Sequence, residues 1–315
     1  MKNYSAPLFS LIFFLSSPFF GQIDISVLNI FDSTKMDYQI FWDLRFPRVL
    51  LAFLVGGILA LSGLIFQTIF RNPMGTPFTL GVASGATLFT AIGIVLGFTS
   101  FIASFAFAGS LLTIVFLFAF GKKFGGNQTS SLLLVGIALS FFYSASLMIL
   151  FFMSNLEESY EIVRFTMGSL DIVGFTNIWL ILVASITLLL VVLRYKKEFH
   201  LLLTSYEFAI LKGVNVKKVN YILLFTVSVA VGICVSITGP IGFVGLIVPH
   251  IIKIITQKTA HQLIVPIFFY GGIFLVLCDF IARNLGGNSD IPIGVVTSFL
   301  GAPFFIYLII KRKKG

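Results

Sequence analysis

Three arginines, Arg45, Arg48 and Arg283, stand at the edges of long uncharged runs in a chain that is only 10% charged. Cations so placed pair with carboxylates, either within the chain or on a partner that presents its own. Arg283 follows Asp279 by four residues, the spacing of an intrahelical ion pair, and Arg45 lies two residues from Asp43. Pairing with an outside partner instead would set register and on-rate more than affinity. Other chemistry is sparse. The sequence has no G-x-x-x-x-G-K-[ST] loop, so it lacks the usual cradle for nucleotide phosphates. His200, His250 and His261 do not have the spacing of a metal site, and His250, next to Pro249, reads as a hydrogen-bonded packing residue. Cys234 and Cys278 lie inside apolar runs and read as buried small hydrophobes, not as a disulfide or metal pair. Without a nucleophile, base or metal constellation, the chain is not expected to be an enzyme.

The elements that carry these residues are membrane helices. The chain has 315 residues, is 58% hydrophobic and has a mean hydropathy of +1.05. A soluble domain is about a quarter charged, so the composition describes an all-α polytopic membrane protein with a single transmembrane domain over residues 1–315. Uncharged runs place ten spans at about 5–21, 47–70, 79–97, 100–121, 130–153, 175–194, 219–238, 242–257, 263–285 and 293–310. The eighth is the weakest. Sixteen residues rise about 24 Å, short of a hydrocarbon core of about 30 Å, and Pro249 interrupts the run. The first run resembles a signal peptide, but residues 17–21 offer no small-x-small cleavage site, so a retained helix is expected.

Charge sorts the loops onto two faces. The face shared by both termini collects sixteen lysines and arginines and two acids, and the other collects five cations and ten acids. By the positive-inside rule the termini are cytoplasmic. The basic balance therefore reflects topology, and no nucleic-acid partner is implied. Small residues at helical spacing, Ala52, Gly56 and Ala60, then Gly81 and Gly85, then Gly93 and Gly97, predict close helix packing, because lipid gives helices no hydrophobic drive to associate. The turn through Arg71, Asn72, Pro73, Gly75 and Pro77 reads as structural, with contact to a cytoplasmic partner left open.

Four ordered blocks carry a family resemblance. They are R-x-P-R followed by G-x-x-L-A-x-S-G-x-x-x-Q, R-N-P and L-G-V-x-S-G-A over residues 45–86; Glu207, Ala209 and Gly213-Val214-Asn215-Val216; GPIGFVGLIVPHIIKIIT over 239–256; and Asp279, Ala282-Arg283, Ile291-Pro292-Ile293-Gly294 and Gly301-Ala302-Pro303. Together they resemble the FecCD family, permeases of iron-siderophore and vitamin B12 ABC importers, for which ten spans is the usual number. The resemblance implies a multi-pass subunit of the bacterial cytoplasmic membrane. It would act beside a second permease copy, identical or paralogous. A separate ABC ATPase dimer would bind the ATP and magnesium, leaving no cofactor in this chain. An extracytoplasmic binding protein would deliver the substrate.

The resemblance also assigns residues. Arg45, Arg48 and Arg283 would dock carboxylates of the binding protein, beside the local pairing noted above. Residues 204–216, with Tyr206, Glu207, Ala209 and Gly213, would form the helix pair that meets the ATPase, although residue types alone describe a solvated basic loop. Gln128 and Thr129 would form a gate, with Ser140 and Ser144 along the pathway, where packing within the bundle is the competing reading. Three stretches depart from the family pattern: Met74-Gly75 stand where leucine and alanine usually follow Asn72-Pro73, Ile210 and Lys212 replace an arginine and a leucine, and Asp290 replaces a glutamate before the late proline. The expected cargo is an iron-siderophore complex, with haem or vitamin B12 as alternatives. An ion-coupled secondary carrier is the reading from another class, and it would normally place ionisable residues near mid-membrane.

Overall fold

A computed structural model describes residues 5–123, 128–256, 260–285 and 290–312. Among these residues all regular structure is helical. The chain runs through α1 (Ser5–Ser16), α2 (Met36–Gln39), a π-helical turn (Ile40–Arg45), α3 (Phe46–Ile69), α4 (Val82–Val95), α5 (Ile102–Lys123) and α6 (Gln128–Met153). It continues through α7 (Leu156–Met167), α8 (Thr176–Arg194), α9 (Lys196–Thr204), α10 (Tyr206–Leu211), α11 (Val216–Thr238), α12 (Val244–Thr256), α13 (Ala260–Leu285) and α14 (Ile293–Arg312). Six stretches are long and apolar enough to cross a membrane, and four shorter apolar helices accompany them. The six overlap runs read as spans from the sequence, and the four shorter helices overlap the other four runs.

The differences have local causes. α1 stops at Ser16 because Pro18 opens a 3-10 turn, Ser17–Phe19, where no further α-helical bond can form. α4 begins only at Val82, since Gly81 at φ +78° bends the chain through the left-handed region that glycine tolerates. Between residues 153 and 175, where no element was expected, lies the amphipathic α7. Asn155 and Glu158 box its first turn, each side chain accepting from the other's backbone N–H at 2.9 and 3.0 Å.

α3 is the central post. Its spanning window is 89% buried, and α13, α12, α11 and α8 pack around it. Small residues make this possible. A methyl at Gly56 would stand 2.7 Å from Leu275 Cβ and overlap the Gly271 carbonyl, and one at Gly63 would overlap Gly245. α4 and α5 pack closely as a second group, tied to α6 by the buried Thr113–Tyr143 hydroxyl pair at 3.1 Å. α6 is the opposite of α3, with 11% of its window buried.

Two prolines create the polar ties between elements. A proline inside a helix has no N–H to give the carbonyl four residues back. For Pro47 that carbonyl belongs to Asp43, and it accepts instead from Gly174 N–H at 2.7 Å, which fixes the loop before α8 to the head of α3. For Pro249 it belongs to Gly245, and the Gln67 side chain donates to it at 3.1 Å. The proline of the first sequence block and the glutamine that ends its second motif thus have related tasks.

Candidate functional site

The three arginines converge at the head of α3. Arg45 closes the π-helical turn and is buried. Its guanidinium donates to the carbonyls of Pro18 at 3.4 Å, of Phe19 at 3.2 Å and of Ile23. Arg283, on α13, pairs with Asp279 at 2.9 Å and donates to Phe20 O and Ser17 Oγ, both at 3.1 Å. Both side chains therefore hold the 17–23 segment that joins α1 to the bundle. Arg48, inside the first turn of α3, donates through Nε to Asp279 at 2.8 Å. Its Nη1 donates to Asp171 at 2.7 Å and to Asp290 at 2.5 Å. Asp279 is fully buried and bridges Arg48 to Arg283.

The sequence spacing anticipated the Asp279–Arg283 pair. It did not reveal the three acids on Arg48, which lie 123 to 242 residues away in the chain. Arg45 turns to backbone carbonyls, not to Asp43, its neighbour in sequence. Two clefts of about 340 and 630 Å³ open beside this node, and Arg48, Asp171 and Asp290 line both. Four ion pairs join Arg48 and Arg283 to Asp171, Asp279 and Asp290.

The 24 residues of α3 rise about 36 Å to the opposite end. There the Arg71–Gly75 turn is held by Asn72, whose Oδ1 accepts from Met74 N–H and whose carbonyl accepts from Gly75 N–H, both at 2.9 Å. This is the structural role expected of it. Where a helix pair was expected within 204–216, the segment holds one helix, α10, and α9 precedes it across a break at Ser205. Ser205 caps α10 by accepting from Phe208 N–H at 3.2 Å, and its hydroxyl donates to Glu207 at 2.7 Å. That hydrogen bond holds the Glu207 carboxyl below the usual carboxylate range, with a smaller pull from the Arg71 charge.

Ala209 is buried under α10, and Gly213 closes the helix at φ +78°, where the Val214 N–H reaches back to Ala209 O at 3.0 Å. Phe208, Ile210 and Leu211 are exposed. The Tyr206 side chain lies outside the described residues, as do those of Gln128 and Thr129 at the start of α6. Further along α6, half-buried Ser140 donates to its own helix at Gly136 O, 2.9 Å, and Ser144 is exposed. Cys234 and Cys278 are buried free thiols. Among the described residues no group of three or more His, Cys, Asp or Glu is placed to hold a metal ion.

Known proteins are similar to this chain over most of its length. A Helicobacter pylori protein named "Probable iron chelatin transport system permease protein" is 34% identical over 271 residues, 86% of this chain and 82% of that protein. The hemin transport system permease protein HmuU of Yersinia pestis is 33% identical over 313 residues, 95% of this chain and 92% of that one. A solved structure described as a metal-chelate type ABC transporter in an inward-facing conformation superposes with a TM-score of 0.86 at 28% identity, over 98% of both chains. The family pattern matches from residue 8 to 311, through the arginine node, α9, α10 and α6 alike, and the chain belongs to the FecCD transport family.

Proposed function

We propose that this chain is the membrane permease subunit of an ATP-driven ABC importer, with an iron-siderophore complex as cargo. The observation that carries the reading is α10 at the end of α3 remote from the arginines. It is a short capped helix outside the spans, anchored by Ala209 and turning Phe208, Ile210 and Leu211 outward. Apolar side chains gathered on a structured surface away from lipid suit a protein partner. The chain has no phosphate-binding loop of its own, so that partner is an ATPase dimer on the cytoplasmic side of a bacterial inner membrane. The uncovered α6 suits a second permease copy, with the pathway between the two and Ser140 and Ser144 along it. The arginine end faces outward, toward a binding protein that delivers the chelate. Iron is favoured as the metal by the named transport role of the Helicobacter relative.

Uptake into sealed vesicles tests this. ATP-dependent accumulation of ferric siderophore, lost without the partner ATPase and indifferent to an uncoupler, is the expected result. Uptake that needs no ATP and collapses with the ion gradient overturns it in favour of a secondary carrier. ATP-driven uptake of haem or a corrinoid, with ferric siderophore excluded, keeps the importer and overturns the cargo.

A further inference from the structure

One side of α8 faces the bundle, where Ile178, Ile181, Ala184, Ser185, Leu188 and Val192 are buried. The other side is bare along its length. Trp179, Val183, Ile186, Leu190 and Leu193 are all exposed, at steps of four, three, four and three residues, which make one straight stripe on a helix. The two ends of the stripe differ. Trp179 marks the first, and Arg194, Lys196 and Lys197 gather at the second, all three exposed. The 19 residues of α8 rise about 28 Å, close to a hydrocarbon core of about 30 Å. An indole at one interface and cations at the other are what a lipid-facing helix presents. α6 is barer still and has neither, since no tryptophan and no charged residue occurs from Gln128 to Met153.

The basic end is firmly held. Tyr195 N–H donates to Val191 O at 3.1 Å and Phe199 N–H to Tyr195 O at 2.9 Å. The helical ladder therefore runs from α8 into α9, and Lys197 continues the line of Leu190 and Leu193. Phe199 and Leu202 are buried and pin α9 to the bundle. The Arg194 guanidinium lies over the half-buried Tyr195 ring, 5.9 Å from its centre. Glu198 is the one acid in residues 194–198, and among the described residues none of the three cations is in an ion pair.

We infer that this end of α8 holds the phosphate of an anionic phospholipid whose acyl chains lie along the stripe. Chains that reach the middle of the core cover about 15 Å, or about ten residues of helix, and so meet Ile186, Leu190 and Leu193. Lysine and arginine suit the boundary because their stems lie on hydrocarbon while their charges reach the headgroup. A zwitterionic headgroup offers the same phosphate but offsets it with its own ammonium, so three unpaired cations select a headgroup of net negative charge. The inference stands apart from the importer reading and adds a lipid partner to it.

The test uses the full chain, purified in detergent and stripped of lipid. Phosphatidylglycerol and phosphatidylcholine with the same acyl chains are titrated in, and native mass spectrometry counts the lipid retained. Phosphatidylglycerol should bind more tightly. Lys196→Gln and Lys197→Gln should each weaken it roughly fivefold, the scale of one cation at a membrane surface, and leave phosphatidylcholine unchanged. Lys197→Arg, which keeps the charge, should bind as the wild type does. Lys212→Gln, at the exposed residue just past α10, should change nothing. Equal affinity for the two lipids overturns the site. An equal loss with Lys212→Gln overturns it too, by tracing the preference to the diffuse charge of the basic loops. Displacement of phosphatidylglycerol by millimolar inorganic phosphate would reassign the cations to a soluble anion. Gln variants that keep the lipid but lose the partner ATPase would reassign them to a protein contact, and either result overturns the inference. If Lys197→Gln fails to assemble, Lys197→Met, which retains an apolar stem, carries the same expectation and the same refutation.

Discussion

Asp279 lies between Arg48 and Arg283 with its carboxyl closed off from water, whereas Asp171 contacts the same Arg48 from a half-exposed loop. The two acids should therefore behave very differently when removed. Asp279→Ala leaves two buried guanidiniums short of their shared partner and should cost about 3–5 kcal/mol. Asp171→Ala should cost at most about 1 kcal/mol. Unfolding of the detergent-solubilised protein, followed by near-ultraviolet circular dichroism in a denaturant series, checks the contrast. Equal losses would mean that exposure does not rank these pairs. The comparison also shows how far the sequence could be read at this scale. Asp279 and Arg283 share a helix face at four-residue spacing, so their pair is visible in the chain. The Arg48 contacts, and the turn of Arg45 toward the carbonyls of Pro18, Phe19 and Ile23, need α1, α3, α13 and the segments leading into α8 and α14 to be assembled first.

The prolines act at the scale of whole helices. Pro249 deprives Gly245 of its helical donor, and Gln67 supplies one from α3, close to where Gly63 lets the two helices touch. Gln67→Leu leaves that buried carbonyl unsatisfied and should cost about 1–3 kcal/mol. Pro249→Ala restores an N–H four residues after Gly245. The double variant should therefore lose less than the sum of the two single changes, a coupling of the sort expected for residues that serve one acceptor. Thermal midpoints of the four proteins in one detergent measure it, and simple additivity would break the link between Pro249 and Gln67. The interruption at Pro249 was legible in the sequence, as was the shortness of the eighth apolar run. What Gln67 does was not, because its acceptor lies 178 residues away. α7 was missed for another reason. With Glu157, Glu158, Glu161 and Arg164 along it, the segment lacks the uncharged run that marks a span, and its capping box at Asn155 and Glu158 is a local signal.

For the molecule as a whole the informative contrast is between α3, enclosed on all sides, and α6, left open along most of its length. Apolar periodicity could not separate them, since both are long uncharged runs, and only the packing shows which one lacks neighbours. Lipid alone can cover an apolar helix, and so can a second copy of the chain. Cysteine cross-linking decides between them. The native thiols Cys234 and Cys278 are buried, so introduced cysteines give a clean signal. Met148 and Phe152 lie four residues apart on an exposed face of α6, whereas Ile65 in α3 is fully enclosed. In native membranes, Met148→Cys or Phe152→Cys should yield a cross-linked dimer with a short bifunctional reagent, while Ile65→Cys should yield none. A scan along α6 should show yield rising and falling with the 3.6-residue period, because a partner copy covers one face of a helix and lipid the other. A uniform absence of dimer along α6 would assign this helix to lipid and remove its support for a second copy.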